Sequence, residues 1–190
     1  MSNQVKDKRT AIMDAALRLF TERGFHGTST ALISKEAGVS TGSLFNYFAT
    51  KEELINNLYF EVKRRLSACV KTGLDPEASF EDQMRILWSN FINCGVNNPE
   101  EFLFVGQFCS SPYITKITRE ETTKEYEFIR TLIEEGFGKG KDYSMELNIA
   151  IFYQSSRAVV ELILSTDRRE NMDEIIEDGF RMLWEGMAPQ

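Results

Sequence analysis

Apolar residues recur every three to four positions along nearly the whole chain, and no stretch alternates with the period of two that marks a half-buried strand. That periodicity restricts the chain to an all-α fold. The first helix is expected from about Lys6 to Arg23, with Ile12, Ala15, Ala16, Leu19 and Phe20 on one face. Gly24 ends it and Phe25 closes over its last turn. Thr50-Lys51-Glu52-Glu53 is a capping box, opening a long helix whose inner face is Ile55, Leu58, Tyr59, Val62, Leu66 and Val70. Gly73-Leu74-Asp75-Pro76 breaks the chain. A helix follows Ser79, with Met84, Leu87, Trp88, Phe91 and Gly95 on one face. Asn98-Pro99-Glu100-Glu101 gives another start, and Ser111-Pro112 opens a helix expected to run to about Gly136. From about Ser144 to Leu164 the chain is apolar on nearly every side, so that helix must be covered on every side, and a partner subunit is a natural cover. Asn171-Met172-Asp173-Glu174 starts the last helix, whose stripe includes Met172, Ile176, Gly179, Phe180, Leu183 and Met187. The pattern gives about nine helices.

Within this array, residues 28–51 read as two short helices joined by a tight turn at Ala37-Gly38-Val39. Thr28 or Thr30 caps the first, with Ile33 and Ala37 on its inner face. Ser40 caps the second, in which Leu44 and Phe48 point inward one turn apart. Stepping 100° per residue from Leu44 places Gly42 and Asn46 almost opposite it, with Ser43 and Phe45 on the flanks. A glycine on an outer helix face lowers stability by roughly 1 kcal/mol relative to alanine. It makes sense where another surface must come close. This is the anatomy of a helix-turn-helix, which lays its second helix in the DNA major groove.

Charge fits that assignment. The chain carries a net −7, but residues 1–65 hold 10 Lys and Arg against 7 Asp and Glu, and the remainder holds 12 against 22. A mildly basic head on an acidic body points to a nucleic-acid contact at one end; the acidic body also serves solubility. The odd count of three cysteines, Cys69, Cys94 and Cys109, has no CxxC spacing and fits a reducing, cytoplasmic setting. They read as small buried hydrophobes, with redox sensing by Cys94 or Cys109 as the alternative. The polar start MSNQVKDKRT is not a signal peptide, and no apolar run approaches the roughly 18 residues that span a bilayer, so no membrane partner is expected. The single His26 excludes a multi-histidine metal site and reads as a surface residue or a phosphate contact. No catalytic triad, metal cluster or nucleotide fingerprint occurs, so neither enzymatic activity nor a cofactor is expected. Gly136-Phe137-Gly138-Lys139-Gly140-Lys141 follows a helix and lacks P-loop spacing, and reads as a turn.

The head resembles a known family. Ala15-Ala16-x-x-Leu19-Phe20, Gly24-Phe25-x-x-Thr28-Ser29, Ile33-x-x-x-Ala37-Gly38-Val39-Ser40-x-Gly42-x-Leu44 and Phe48-x-x-Lys51-x-x-Leu54 are similar to the DNA-binding head of TetR-type transcriptional regulators, over roughly a quarter of the chain. The resemblance implies a helix-turn-helix DNA-binding domain at 1–50 and a ligand-binding and dimerisation domain at 51–190. It implies DNA contacts from Thr28, Ser29, Ser40, Thr41, Gly42, Ser43, Phe45, Asn46, Tyr47 and Lys51, with plain helix capping as the alternative for Thr28, Ser40 and Thr50. Phe45 stands where the family usually has tyrosine and allows a thymine-methyl contact. Asn46 pairs with adenine or reaches only phosphate. Tyr47, where histidine is common, keeps a donor.

The resemblance also implies a small-molecule pocket in the body. Trp88, Phe91, Phe104, Gln107, Phe108, Tyr126, Tyr153 and Arg157 are the candidates, Arg157 having an ion pair with Glu161 as its other reading. The last two helices imply a dimer interface through Val160, Leu164, Ile176, Phe180 and Leu183. The function implied is a cytoplasmic homodimeric repressor, released from a palindromic double-stranded DNA operator by a small-molecule effector. The alternative is a helical protein-interaction adaptor without DNA binding.

Overall fold

The computed structural model describes residues 7–137, 145–166 and 168–187. Among these it has ten α-helices, a single 3-10 turn at Arg168–Asn171 and no strand. The helices are α1 Lys8–Arg23, α2 Thr30–Glu36, α3 Thr41–Tyr47, α4 Lys51–Val70, α5 Phe80–Asn97, α6 Pro99–Phe108, α7 Lys116–Lys124, α8 Glu127–Phe137, α9 Met145–Thr166 and α10 Met172–Met187. The all-α expectation holds. The turn read at 136–141 lies mostly outside the described residues.

One expected helix is two. Pro112 does not start it: Thr115 is the cap, its Oγ1 accepting from the Thr118 amide at 3.2 Å, so α7 begins at Lys116. The chain then breaks at Glu125-Tyr126. The Thr122 hydroxyl donates back to the carbonyls of Thr118 (2.8 Å) and Arg119 (3.1 Å), a bond that competes with the helical ladder. The Ser67 hydroxyl donates to the Glu125 carbonyl at 2.6 Å and satisfies a group the helix would otherwise use. Apolar period alone carries no sign of either bond.

Packing divides the chain into two compact units that are not contiguous in sequence. The first comprises the described chain up to Arg64 together with Glu100–Thr122; the second comprises Arg65–Pro99 and the described residues from Thr123 onward. The long α4 contributes to both. In the first unit, α1, α2 and α3 pack on one another around Ile12, Ala16, Phe20, Ile33, Leu44 and Phe48, all essentially without exposed surface. In the second, α5, α9 and α10 form the core. There the Trp88 indole N–H donates to the Ile176 carbonyl at 2.7 Å, and Gly179 lets the ring lie against α10, because a Cβ would come within 2.9 Å of it. The fully buried Phe180 ring contributes about 1.5–3 kcal/mol.

Of the five residues expected at a dimer interface, four are already buried by their own chain. Val160 (0%), Phe180 (1%), Ile176 and Leu183 are buried within a single chain, and Leu164 is half-buried. They fill the α5–α9–α10 core, since these helices are long enough to bury one stripe on each other. What α9 leaves exposed is a different stripe, Leu147, Ile151, Gln154, Ala158 and Leu162, while α10 exposes Met182.

Candidate nucleic-acid interface

The turn between the two short helices is built by the backbone. Gly38 takes φ +68°, its amide donates to the Lys35 carbonyl (3.2 Å), and the Val39 amide donates to the Ser34 carbonyl (2.9 Å). This pair of bonds is the Schellman motif, and its positive φ requires glycine. Val39 then leads to Ser40, whose Oγ accepts from the Ser43 amide at 3.1 Å and caps α3. Leu44 and Phe48 anchor α3 from beneath.

With that face buried, α3 turns Thr41, Gly42, Phe45, Asn46 and Tyr47 outward, beside the exposed Ser40 and the half-buried Ser43. Phe45 and Tyr47 are 43% and 40% exposed, unusual for large rings on a seven-residue helix. Gly42 is informative because the chain does not require it. Its φ lies outside the left-handed region, and an added Cβ would meet only Ser40 Oγ at 4.0 Å. Among the described residues, no neighbour explains the missing side chain.

Two expected contact residues, Thr28 and Lys51, are used internally. Thr28 has no exposed surface; its hydroxyl donates to the carbonyls of Leu19 (3.1 Å) and Gly24 (2.9 Å), fixing the loop between α1 and α2. The α2 cap is Ser29, whose Oγ accepts from the Leu32 amide at 3.2 Å, rather than Thr28 or Thr30. Lys51 folds back: its ammonium donates to the Phe25 carbonyl and lies 5.9 Å from the Phe20 ring centre, and burial lowers its pKa. Thr50 caps α4, accepting from the Glu53 amide at 3.0 Å, while the Glu53 carboxylate accepts from the Ala49 amide at 2.8 Å.

Other cations of the basic head are also engaged. Burial holds the Lys63 amine down to about 8, against a smaller opposing influence of Cys109. Arg18 pairs with Glu36 at 3.0 Å and Arg64 with Glu61 at 2.9 Å. Lys35 is exposed near the end of α2. The outward face of α3 is therefore polar and aromatic more than cationic.

The loop leading into α2 rests on residues far along the chain. Phe25 stacks on Phe108 with ring centres 3.9 Å apart and meets Tyr113 edge-on at 5.5 Å. The Asn56 amide donates to the Tyr113 carbonyl and its oxygen accepts from the Thr115 amide, both at 2.9 Å. Sequence reasoning missed this support, because no local pattern links residue 25 to residue 108. His26 lies beside the Tyr113 hydroxyl at 3.4 Å.

The expected pocket residues fall in both units. Phe104 and Phe108 join the aromatic cluster around Phe25, and Gln107 is exposed. Trp88, Phe91, Tyr126, Tyr153 and Arg157 belong to the second unit. Phe91 and Tyr153 meet edge-on at 5.6 Å, and Arg157 pairs with Glu161 at 2.8 Å, the second of its two readings.

The sequence model for "Bacterial regulatory proteins, tetR family" matches residues 12–58. The solved structure of a putative TetR family transcription regulator from Shewanella sp. PV-4 superposes with a TM-score of 0.87 at 29% identity, over 97% of this chain and all of that one. Residues 12–58 are those of a TetR-family head, and the chain as a whole shares the fold of that TetR-family structure. The BetI regulator of Vibrio atlanticus is 30% identical over 131 residues, 67% of this chain and 66% of the relative. The uncharacterised HTH-type transcriptional regulator YuxN of Bacillus subtilis is 30% identical over 92 residues, 46% of this chain and 32% of the relative. The chain thus spans from 32% to 66% of the length of the curated relatives just named. The TetR-family match falls on α1 to α4, the region that holds the outward face of α3.

Proposed function

We propose that the protein is a homodimeric, sequence-specific transcriptional repressor, released from a palindromic operator by a small molecule. Residues 1–50 act as the DNA-binding domain and 51–190 as the ligand-binding and dimerisation domain. The observation that carries this reading is Gly42, open to solvent on the outer face of α3 between exposed Thr41 and Phe45. A helix that sheds a side chain where its own fold has room accommodates an external surface, and a major-groove floor is such a surface. Thr41, Gly42, Ser43, Phe45, Asn46 and Tyr47 meet the groove, with Ser29 and Ser40 at its edge; Thr28 and Lys51 position the turn from within.

Dimerisation follows from α9 and α10. The stripe of Ile151, Ala158 and Leu162, with Met182 of α10, is apolar and exposed in one chain, and a second copy about a two-fold axis covers it. By length and composition α9 would also pass as a membrane span, with mean hydropathy 1.2 over its most apolar window. Its opposite stripe, Phe152, Ser156, Val160 and Ile163, is buried in the α5–α9–α10 core, which favours a protein partner over lipid and a cytoplasmic regulator over a membrane protein. Effector contacts are assigned to the half-buried Phe91, Tyr126 and Tyr153 of the second unit. The effector acts only through a difference in affinity between two arrangements of the protein.

Selection of bound sequences from random duplex DNA tests the proposal. The expected result is a palindrome whose half-sites lie about one helical turn or a multiple of it apart. Absence of enrichment, with the protein folded and dimeric, overturns DNA recognition in favour of the adaptor reading.

A further inference from the structure

The cysteines expected to be isolated buried residues are not all so. Cys69, on the last turn of α4, and Cys94, on α5, are joined by a disulfide with their Cα atoms 6.2 Å apart, inside the range that a disulfide bridges. Both lie in the second unit. Cys109, in the first unit, is a free thiol.

We propose that Cys69 and Cys94 form a reversible dithiol that is oxidised by a peroxide-class oxidant and thereby regulates operator affinity. The regulatory half rests on the DNA-binding reading above.

Three observations carry it. First, the two sulfurs differ in access: Cys69 is half-buried, whereas Cys94 is 3% exposed. An oxidant therefore reaches Cys69, and Cys94 is the shielded partner that closes the bond. Second, the disulfide does not hold the two helices together alone. Asn90, one turn before Cys94 on α5, donates from Nδ2 to the carbonyls of Val70 (2.9 Å) and Thr72 (2.5 Å), where α4 ends. These hydrogen bonds join the end of α4 to α5 beside the disulfide and need no sulfur atom, so the reduced form is expected to keep the two helices in register. Third, α4 is one continuous helix of 20 residues that starts four residues after α3 ends. Oxidation turns a hydrogen-bonded anchor at its far end into a covalent one. A protein acting on DNA in a reducing compartment has no lasting use for a structural disulfide; cysteine pairs there are mostly transient or redox-sensing.

The chemistry balances. The Cys69 thiolate attacks the peroxide, forming an S–O bond and breaking O–O; the hydroxide released takes the thiol proton and leaves as water. The Cys94 thiolate attacks that sulfur, forming S–S and breaking S–O, and the second hydroxide leaves as water with the Cys94 proton. Two thiols lose two electrons and two protons, and the peroxide becomes two waters. A cellular dithiol returns the electrons by thiol–disulfide exchange.

The test uses the full chain with a duplex enriched by the selection above. Protein reduced with dithiothreitol is compared with protein treated with hydrogen peroxide, counting thiols and measuring Kd by fluorescence anisotropy. Oxidation should lower the thiol count from three to one, the sulfur left being Cys109, and dithiothreitol should restore it. The two forms should differ in Kd by at least about five-fold, the lower end of coupling between linked sites. Cys69→Ser, at a half-buried position, should keep the reduced-form Kd in peroxide, while Cys109→Ser should respond as the parent does. Equal Kd for the two forms, a bond that survives dithiothreitol, or loss of the response in Cys109→Ser overturns the proposal. Failure of the reduced protein to enrich any duplex removes the DNA-binding reading itself; the thiol count still decides separately whether the pair cycles.

Discussion

Thr28 and Asn46 separate two roles that lie close together in sequence. The Thr28 hydroxyl, with two carbonyl partners and no exposed surface, belongs to the fold; Asn46 is exposed on α3. Thr28→Val keeps the shape but leaves the Leu19 and Gly24 carbonyls without that donor, and should lower unfolding stability by about 1–3 kcal/mol in urea titration. Asn46→Ala should change stability by less than about 0.5 kcal/mol. It should also alter base preference at one half-site position when binding is profiled on randomised DNA; uniform weakening with unchanged preference would mean phosphate contact alone. Caps are legible in the sequence at this scale because they act over three residues: Ser40 with Ser43, and Thr50 with Glu53. Lys51 was not legible, because its long stem lets the ammonium reach the carbonyl of Phe25, distant in sequence.

At the scale of the element, α9 shows what periodicity settles and what it leaves open. A helix apolar on nearly every side must be covered on every side, and that much follows from the sequence. Which stripe faces α5 and α10, and which is left exposed, does not. The structure buries Phe152, Val160 and Ile163 and exposes Ile151 and Leu162, the last 41% accessible. The substitutions that test the dimer move accordingly. Leu162→Glu should yield a folded monomer by sedimentation, with circular dichroism unchanged and operator affinity largely lost. Val160→Glu should instead unfold the second unit, because a carboxylate there has no partner and no water, at a loss of several kcal/mol. A Leu162→Glu protein that remains dimeric would remove the interface from this stripe. The split of the expected 112–136 helix belongs to this scale as well. Both segments keep helical period, and only the Thr122 back-bonds and the Ser67 contact reveal the break.

Across the whole molecule, the packing units are interleaved along the chain. Residues 100–122 pack with the helix-turn-helix unit, supplying Phe108 beneath Phe25 and the Tyr113–Thr115 backbone that pairs with Asn56. A fragment of residues 1–50 therefore lacks the floor under Phe25 and the helix that bears Asn56. It should show no cooperative thermal transition by circular dichroism, whereas the full chain should. A fragment that melts cooperatively would mean that α1 to α3 are sufficient. No sequence pattern announces this support, because Phe25 and Phe108 each look like ordinary core residues of their own helices.

The sequence by itself determined the all-α class, the helix-turn-helix with its Ser40 cap, and the family its head belongs to. These are local properties, written in the 3.6-residue period, in hydroxyls three residues from the amides they cap, and in a glycine that must take positive φ. The tertiary structure alone decided which apolar stripe of α9 is core, that Lys51 and Thr28 turn inward, that residues 100–122 support the head, and that Cys69 meets Cys94. Each of these joins residues far apart along the chain or selects between faces of one helix. Hydrophobic burial is non-directional, so composition and period say that a surface must be buried but not against what.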